Sequence, residues 1–299
     1  MRPTIGTLLF YRRIASPLHA ARAGVGALWA LALIAVTLAL NEPLALLALL
    51  AGVLGAGAGA GVGSVLLRGL RTGLIVALPI VFVNVLVSRQ GLTVFARLGD
   101  LGPFGQGDLT VEAVLYGAVI ALKVMLLILI STLAGLAVDP DEMLRLWRRL
   151  SFRSALTASL ATRMIPLLAA DAQRLTEAQR TRPEGATRGG RSRMALFSAV
   201  IGGSLDRAMD VAATLEVRGF ATATRAPRLS RPWSRHDVAF SASAAAILAL
   251  GVLAMVSGAG SFHAYPLIHM PVRAGTLLLC LALILALLLP FTSRRGIGP

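Results

Sequence analysis

Long apolar runs constrain the fold of this chain more than any other feature of its sequence. A helix needs about 20 apolar residues to cross a bilayer, and runs such as "VEAVLYGAVIALKVMLLILISTLAGLAV" are long enough. The chain of 299 residues is 56% hydrophobic and only 14% charged, which is outside the usual range for a soluble domain. We therefore predict an all-α, polytopic membrane protein.

The apolar runs divide into six predicted transmembrane helices. The turn "NEP" separates the first two, and "RGLR" separates the second from the third. Three regions result: an N-terminal membrane region at 1–138 with four spans, a segment at 139–236, and a C-terminal membrane region at 237–299 with two spans. The approximate bounds of the spans are 24–41, 43–67, 72–88, 111–138, 237–257 and 273–291.

The basic residues predict which side of the membrane each segment faces. With six spans, both termini, the segment 139–236 and the predicted turn at 68–71 all lie on the same side of the membrane. That side carries 25 of the 29 Lys and Arg residues. Only Arg89, Arg97 and Arg273 fall on the other side. Because cytoplasmic loops are enriched in Lys and Arg, we predict a protein of the cell inner (plasma) membrane with both termini in the cytoplasm.

The net charge of +15 therefore lies on the cytoplasmic face. Such a face favours anionic membrane lipid or an acidic protein surface as a partner. Nucleic acid is not expected, because the basic segment has no series of stacking aromatic residues and no recognised binding motif.

The segment 139–236 is predicted to be a folded set of amphipathic helices. Asp139 is a good N-cap residue for a first helix in "VDPDEMLRLWRRLSF". A second helix is predicted at about 154–182, with a kink at Pro166, and a third at about 191–218. Apolar residues recur at helical spacing in these stretches, with charged residues on the other faces. The stretch "PEGATRGG" breaks the chain between the two long helices.

Each long helix ends on an arginine beside a helix breaker, in "TRP" at Arg182 and in "VRG" at Arg218. Gly219 is a typical helix-ending residue. Two interpretations follow from the residues alone. The arginines either complement helix dipoles and bind lipid phosphate, or they contact a partner protein.

Two stretches around these arginines, "LTEAQRTRPEG" and "ATLEVRGF", carry a family resemblance. Four further stretches come earlier in the chain: "SPLH", "VNVLVSRQGLTVF", "DLTVEAVLYGAVIALKVMLLIL" and "RMIPLLAADAQRLTEAQR". The last of the four overlaps "LTEAQRTRPEG". In this order the stretches resemble the transmembrane T components of energy-coupling factor (ECF) transporters, the EcfT/CbiQ family. The resemblance covers about residues 15–225.

The resemblance implies a function and a set of partners. In that family the cytoplasmic coupling helices cross in an X, and an arginine at the end of each docks into a groove of one ATPase subunit. Arg182 and Arg218 are the docking arginines by this resemblance, and a guanidinium on a rigid helix end suits such a role because it pairs bidentately with carboxylates. Two ABC-type ATPase subunits and a membrane-embedded S component that binds the substrate are the implied partners. The imported solute would be a vitamin or a transition-metal ion such as cobalt or nickel.

The chain departs from the family pattern at the first of the two arginine motifs. The usual Ala-Arg-Gly-like triplet is Thr-Arg-Pro here, and Pro183 removes a backbone donor and fixes φ. Arg180 is therefore a second candidate for the docking role. The second motif has a milder change, to Val-Arg-Gly, and the predicted pair of C-terminal spans replaces the single span of many family members.

Two features within the spans have both a packing and a partner-binding interpretation. The run "GVLGAGAGAGVG" places Gly55, Gly59 and Gly63 on one helical face, which lets either another span or the S component approach closely. Lys123 lies near the middle of the fourth span, where an uncompensated charge costs about 2.5–3.5 kcal/mol. It should therefore face protein or water, or reach towards the membrane surface; its role is either in helix packing or at the S-component interface.

The sequence contains no set of residues that would support catalysis. It has no Walker motif, no Ser/His/Asp set, no carboxylate pair and no His/Cys cluster, and its single cysteine, Cys280, lies within an apolar run. We expect no catalytic residue, no metal site and no cofactor. The alternatives to a T component are a membrane-integral lipid-modifying enzyme and a basic, lipid-binding structural membrane protein.

Overall fold

The protein is divided into two compact units. One, here called the bundle, comprises Met1–Pro140 and Pro232–Pro299, and the other, here called the inserted unit, comprises Asp141–Arg231. A computed structural model describes residues 16–87, 93–100, 106–147, 152–180, 190–219, 232–258 and 274–293. The division of the chain into two membrane regions and a cytoplasmic segment stays a prediction.

The described residues are mostly helical, which confirms the all-α, polytopic class. A 3-10 turn, Leu289–Phe291, extends the last helix, and two strands, β1 and β2, form a short hairpin between α4 and α5. The elements in chain order are α1 Pro17–Ala20, α2 Ala23–Ala39, α3 Pro43–Gly59, α4 Gly63–Val87, β1 Val94–Asp100, β2 Gln106–Thr110, α5 Val111–Ala137, α6 Pro140–Trp147, α7 Phe152–Arg180, α8 Gly190–Val217, α9 Arg235–Ser257 and α10 Ala274–Leu288.

Four of the described helices are long and apolar enough to cross a membrane. They are α4, α5, α9 and α10 with its extension to Phe291. The other two predicted spans correspond to α2 and α3, which have 17 residues each. At about 1.5 Å per residue these two helices are shorter than the hydrocarbon core of about 30 Å.

The break between α3 and α4 lies at residues 60–62, so the prediction that "RGLR" separates two spans is wrong. Gly61 has a φ of 73°, a left-handed conformation that glycine adopts without steric cost. Arg68 and Arg71 instead lie within the first turns of α4, with exposed side chains. Long arginine stems allow this, because they carry the charge away from an apolar surface.

The hairpin follows α4 and leads directly into α5. β1 and β2 are antiparallel, and Val94 pairs with Thr110. Thr110 caps α5 by accepting a hydrogen bond from the backbone N–H of Ala113 at 3.3 Å. The buried carboxylate of Glu112 accepts hydrogen bonds from Thr93, at 3.1 Å from the backbone nitrogen and 2.6 Å from the hydroxyl.

A three-ring aromatic cluster joins α2, α9 and the 3-10 turn after α10 in the core of the bundle. Trp29, Phe240 and Phe291 pack edge to face, with ring centroids 5.2 to 6.0 Å apart. The indole N–H of Trp29 donates to the hydroxyl of Ser243 at 3.0 Å, and that hydroxyl donates to the carbonyl of Ala286 at 2.6 Å. This satisfies the buried indole N–H, which is why a tryptophan is tolerated there.

In the inserted unit, α7 and α8 match the two predicted long helices closely. The predicted bounds 154–182 and 191–218 become Phe152–Arg180 and Gly190–Val217. Pro166 lies inside α7, and the helix runs on past it.

Candidate functional site

Arg218 lies at the ordered C-terminal end of α8. Its backbone N–H still donates to the carbonyl of Thr214 at 3.2 Å, so the residue belongs to the helical hydrogen-bond ladder. Gly219 then turns the chain with a φ of 68°, and its N–H donates to the carbonyl of Glu216 at 2.9 Å. The Arg218 side chain is exposed, and it has no ion-pair partner among the described residues. A charged donor group is thus presented on a fixed helix end.

The other docking candidates are only partly described. Arg180 is the last residue of α7, and its side chain lies outside the part that the structure describes. Arg182, the predicted docking residue of this helix, lies outside the described residues. Their roles therefore stay predictions.

An ion pair links the two long helices. Nη2 of Arg207 on α8 donates to Oδ2 of Asp171 on α7 at 2.7 Å. The two side chains are only 31% and 25% exposed, so water screens the pair less than it screens a fully exposed one. A second arginine, Arg174, is 3.9 Å from the same carboxylate but is 80% exposed.

The apolar face that the sequence predicts for α8 divides into two stripes. Val200, Ser204, Val211 and Leu215 are half-buried and lie on the side of Arg207. A second stripe remains exposed along the helix, and we call it the exposed α8 stripe. It consists of Met194, Phe197, Ile201, Leu205 and Met209.

The glycine face of α3 is packed against α10 of the same chain. A Cβ atom on Gly55 would lie 2.8 Å from Cδ2 of Leu288, and one on Gly59 would lie 2.9 Å from Cδ1 of Phe291. Gly63 lies beyond the break and is the first residue of α4, so the prediction that it shares a helical face with the other two is wrong. The S-component role of these glycines stays a prediction, while Gly55 and Gly59 serve internal packing.

Lys123 is bonded within the bundle. Its Nζ donates to the carbonyl of Leu38 at 3.1 Å and to Oδ1 of Asn41 at 2.7 Å. The ammonium group therefore lies at the C-terminal end of α2, where a helix has unpaired carbonyls and a negative partial charge. These bonds supply the packing role considered for Lys123, and its role at an S-component interface stays a prediction.

α4 is the least covered of the four membrane-crossing helices. Only Leu66 and Gly73 among its 25 residues are buried. Leu78, Pro79, Val81, Phe82 and Val85 line an open apolar groove on it. In the described residues there is no group of three or more His, Cys, Asp or Glu side chains that could hold a metal ion.

The apolar bundle with its inserted polar helices defines a multi-pass α-helical membrane protein. Residues 15–228 match the family model CbiQ, described as "Cobalt transport protein". Because the match covers most of the chain, the chain belongs to the CbiQ family, which confirms the resemblance seen in the sequence. This family provides membrane components of transporters, so the prediction that the chain is not an enzyme is also confirmed.

A curated relative agrees with this family. The chain is similar to a protein of Leuconostoc gelidum subsp. gasicomitatum called "Energy-coupling factor transporter transmembrane protein EcfT", with 29% identity over 143 residues. The alignment covers 43% of this chain and 52% of the relative. The chain thus spans about half the length of the curated relative it matches.

Proposed function

We propose that this chain is the T component of an ECF-type importer, and that Arg218 is one of its contacts with an ATPase subunit. The observation that carries the proposal is the geometry at the end of α8. There the exposed Arg218 is fixed by the helical ladder on one side and by the turn at Gly219 on the other. A preorganised guanidinium loses little conformational entropy when it pairs with carboxylates in a groove.

The Arg207–Asp171 pair gives the proposal a mechanical basis. A force applied to Arg218 at the end of α8 reaches α7 through this pair. The two helices then act as one lever, which transmits the opening and closing of an ATPase dimer towards the bundle. Arg182, or Arg180 in its place, is proposed as the corresponding contact for the second ATPase subunit.

For the membrane-embedded S component we propose the uncovered face of α4. The supporting observation is the open groove around Leu78 and Phe82, set against the internal packing of Gly55 and Gly59. The imported solute, a vitamin or a transition-metal ion such as cobalt or nickel, is bound by the S component in this proposal. The protein works in the inner membrane with both termini in the cytoplasm.

Cross-linking distinguishes the α4 face from the glycine face. In a Cys280→Ser background, a photo-cross-linker on Leu78→Cys is expected to capture the S component in the purified complex. The same cross-linker on Gly55→Cys is the matched comparison within the membrane. Capture from residue 55 and not from residue 78 would transfer the interface to the glycine face.

Charge reversal tests the docking role. Arg218→Glu is expected to reduce co-purification of the ATPase pair at least tenfold, because it places a carboxylate where the groove is proposed to hold carboxylates. Arg163→Glu is the matched control, because Arg163 is also an exposed arginine but lies on α7. It should leave the complex intact. Full retention of the ATPase pair by Arg218→Glu combined with Arg182→Glu would refute the assignment.

The exposed α8 stripe supports a second candidate function, that of a basic, lipid-binding structural protein. An apolar stripe on a helix that begins with two arginines, Arg191 and Arg193, can lie on anionic headgroups. In that case Leu205→Glu in the isolated inserted helices would abolish flotation with anionic vesicles, while Arg218→Glu would leave ATPase co-purification unchanged.

A further inference from the structure

Residues 16–22, with the sequence "SPLHAAR", contact both places where the inserted unit joins the bundle. The chain leaves the bundle after the C-terminal end of α5, here called the exit joint, residues 136–140. It returns at the start of α9, here called the return joint, residues 232–237. Both joints and the segment 16–22 belong to the bundle.

His19 holds the exit joint. Its Nε2 lies 3.2 Å from the carbonyl of Leu136, and its Nδ1 lies 2.6 Å from the hydroxyl of Ser16. Because a carbonyl only accepts, Nε2 carries the proton and Nδ1 accepts from Ser16. The carbonyl of Leu136 belongs to the last turn of α5, whose carbonyls have no partner within the helix. Just beyond, Val138 packs 3.5 Å from the position of a Cβ atom on Gly26.

Arg22 holds the return joint. The carboxylate of Asp237, which is fully buried, accepts the backbone N–H of Arg22 at 2.7 Å and lies 3.3 Å from the guanidinium Nε. The same carboxylate accepts the backbone N–H of Ser234 at 2.9 Å in a capping box. The Arg22 guanidinium also lies over the ring of Trp233, 5.4 Å from its centre, where a cation is attracted to the aromatic face.

The carboxylate of Asp237 therefore accepts hydrogen bonds at the N-terminal ends of two helices. Arg22 precedes α2 and Ser234 precedes α9, and both donate backbone N–H groups to Asp237. Only two residues separate Arg22 from His19, which bonds to the last turn of α5. The inserted unit, residues 141–231, separates the two joints in sequence, yet one short segment bonds to both.

We propose that residues 16–22 are a clamp that couples the two joints, with His19 and Arg22 as its positioning residues. The clamp holds the exit and the return in one fixed base. This inference rests on the proposed function, in which motion of the inserted helices moves the membrane helices. Because the clamp joins the two joints, that motion is not absorbed by independent bending of each joint.

Amide hydrogen exchange on the full chain in lipid nanodiscs tests the clamp without any partner. Exchange is followed in peptides that cover 134–147 and 232–240. His19→Ala, whose contact is at the exit joint, is expected to accelerate exchange at least threefold at the return joint as well. Arg22→Leu, whose contact is at the return joint, should do the same at the exit joint. His19→Gln keeps an N–H donor and should restore most of the protection.

Ser243→Ala is the matched control. It removes two buried hydrogen bonds in the same bundle, to Trp29 and Ala286, but touches neither joint, and exchange at both joints should stay near that of the unmodified chain. If each clamp variant loosens only its own joint, or if Ser243→Ala loosens both joints equally, the clamp is refuted.

A second readout in the complex separates the clamp from the proposed function. If the chain co-purifies with its ATPase pair, Arg22→Leu is expected to retain ATP hydrolysis within about twofold. It should lose most of the nucleotide-dependent change in distance between spin labels on Glu216→Cys and Ser293→Cys. If amide exchange at the two joints responds as the clamp predicts but the chain binds no ATPase, only the proposed function is refuted.

Discussion

Gly219 shows how a single residue determines where a functional side chain is presented. Its φ of 68° ends α8 immediately after Arg218, and a residue with a Cβ atom adopts that conformation at a cost of roughly 1 kcal/mol. The sequence indicated this helix end correctly because glycine after the last apolar repeat is a common stop signal. Residue-scale rules therefore locate Arg218 well.

The first prediction concerns this glycine. Gly219→Ala is expected to destabilise the end of α8 by about 1 kcal/mol, which corresponds to roughly fivefold faster exchange of the amides in the last turn. Gly202→Ala, in the interior of the same helix, is the control. A Cβ atom there would meet open space, so alanine should be neutral or should stabilise the helix by up to about 1 kcal/mol. Equal effects from both substitutions would show that the left-handed turn does not define the helix end.

Arg68 and Arg71 show where residue-scale rules fail. Two arginines flanking a glycine suggested a turn, but both belong to α4, and the chain turns at Gly61 instead. Charged residues interrupt an apolar run without interrupting the helix, because their long side chains reach away from the apolar surface. The glycine-rich run offered several equivalent places for a break, and only one of them has a positive φ.

At the scale of elements, an ion pair joins α7 and α8 beside a half-buried apolar stripe. Periodicity predicted both helices, because their apolar residues recur at helical spacing. It did not predict that the apolar face of α8 divides into a half-buried stripe and the exposed α8 stripe, since that depends on the crossing with α7. Asp171 and Arg207 read only as polar positions in the sequence, and 36 residues separate them.

The second prediction tests this pair by a double-mutant cycle. Asp171→Ala and Arg207→Ala are each expected to loosen α7 and α8, with a coupling energy of about 0.5–1 kcal/mol between them. Loss of Asp171 should cost more than loss of an exposed pair, because it leaves the partly buried Arg207 guanidinium unpaired. The measurement is amide exchange in α7 and α8, converted to opening free energies.

Arg174→Ala provides the control for that cycle. Arg174 approaches the same carboxylate at 3.9 Å but is 80% exposed, so its removal should change the opening free energy by less than about 0.3 kcal/mol. A coupling energy near zero between Asp171 and Arg207, or one equal to that of Arg174, would mean that the pair does not join the helices.

At the scale of the whole molecule, the class of protein was predictable and its internal arrangement was not. Long apolar runs predict a membrane bundle almost regardless of detail, because a helix satisfies all the backbone groups of such a run within the run itself. The contacts that build the bundle lie far apart in sequence: Trp29 with Ser243 and Arg22 with Asp237. The hairpin between α4 and α5 was not predicted, because its strands are short and their pairing is irregular in register.

The third prediction concerns sidedness. In a Cys280→Ser background, Val111→Cys at the start of α5 should react with a membrane-impermeant maleimide in intact cells. Glu216→Cys on α8 and Ser293→Cys after α10 should react only after the cells are made permeable. The physical reason is the asymmetry of basic residues, which favours the cytoplasm for the arginine-rich segments. The reverse labelling pattern would overturn the proposed orientation of both termini.

The bonds from Arg22 to Asp237 and from Trp29 to Ser243 span 215 and 214 residues. During synthesis, α2 leaves the ribosome long before α9 and α10 exist. Until they arrive, the indole N–H of Trp29 and the amide N–H of Arg22 lack the acceptors that they have in the finished protein. A product cut short before residue 232 is therefore expected to be a substrate for membrane proteases, however well α2, α3, α4 and α5 insert.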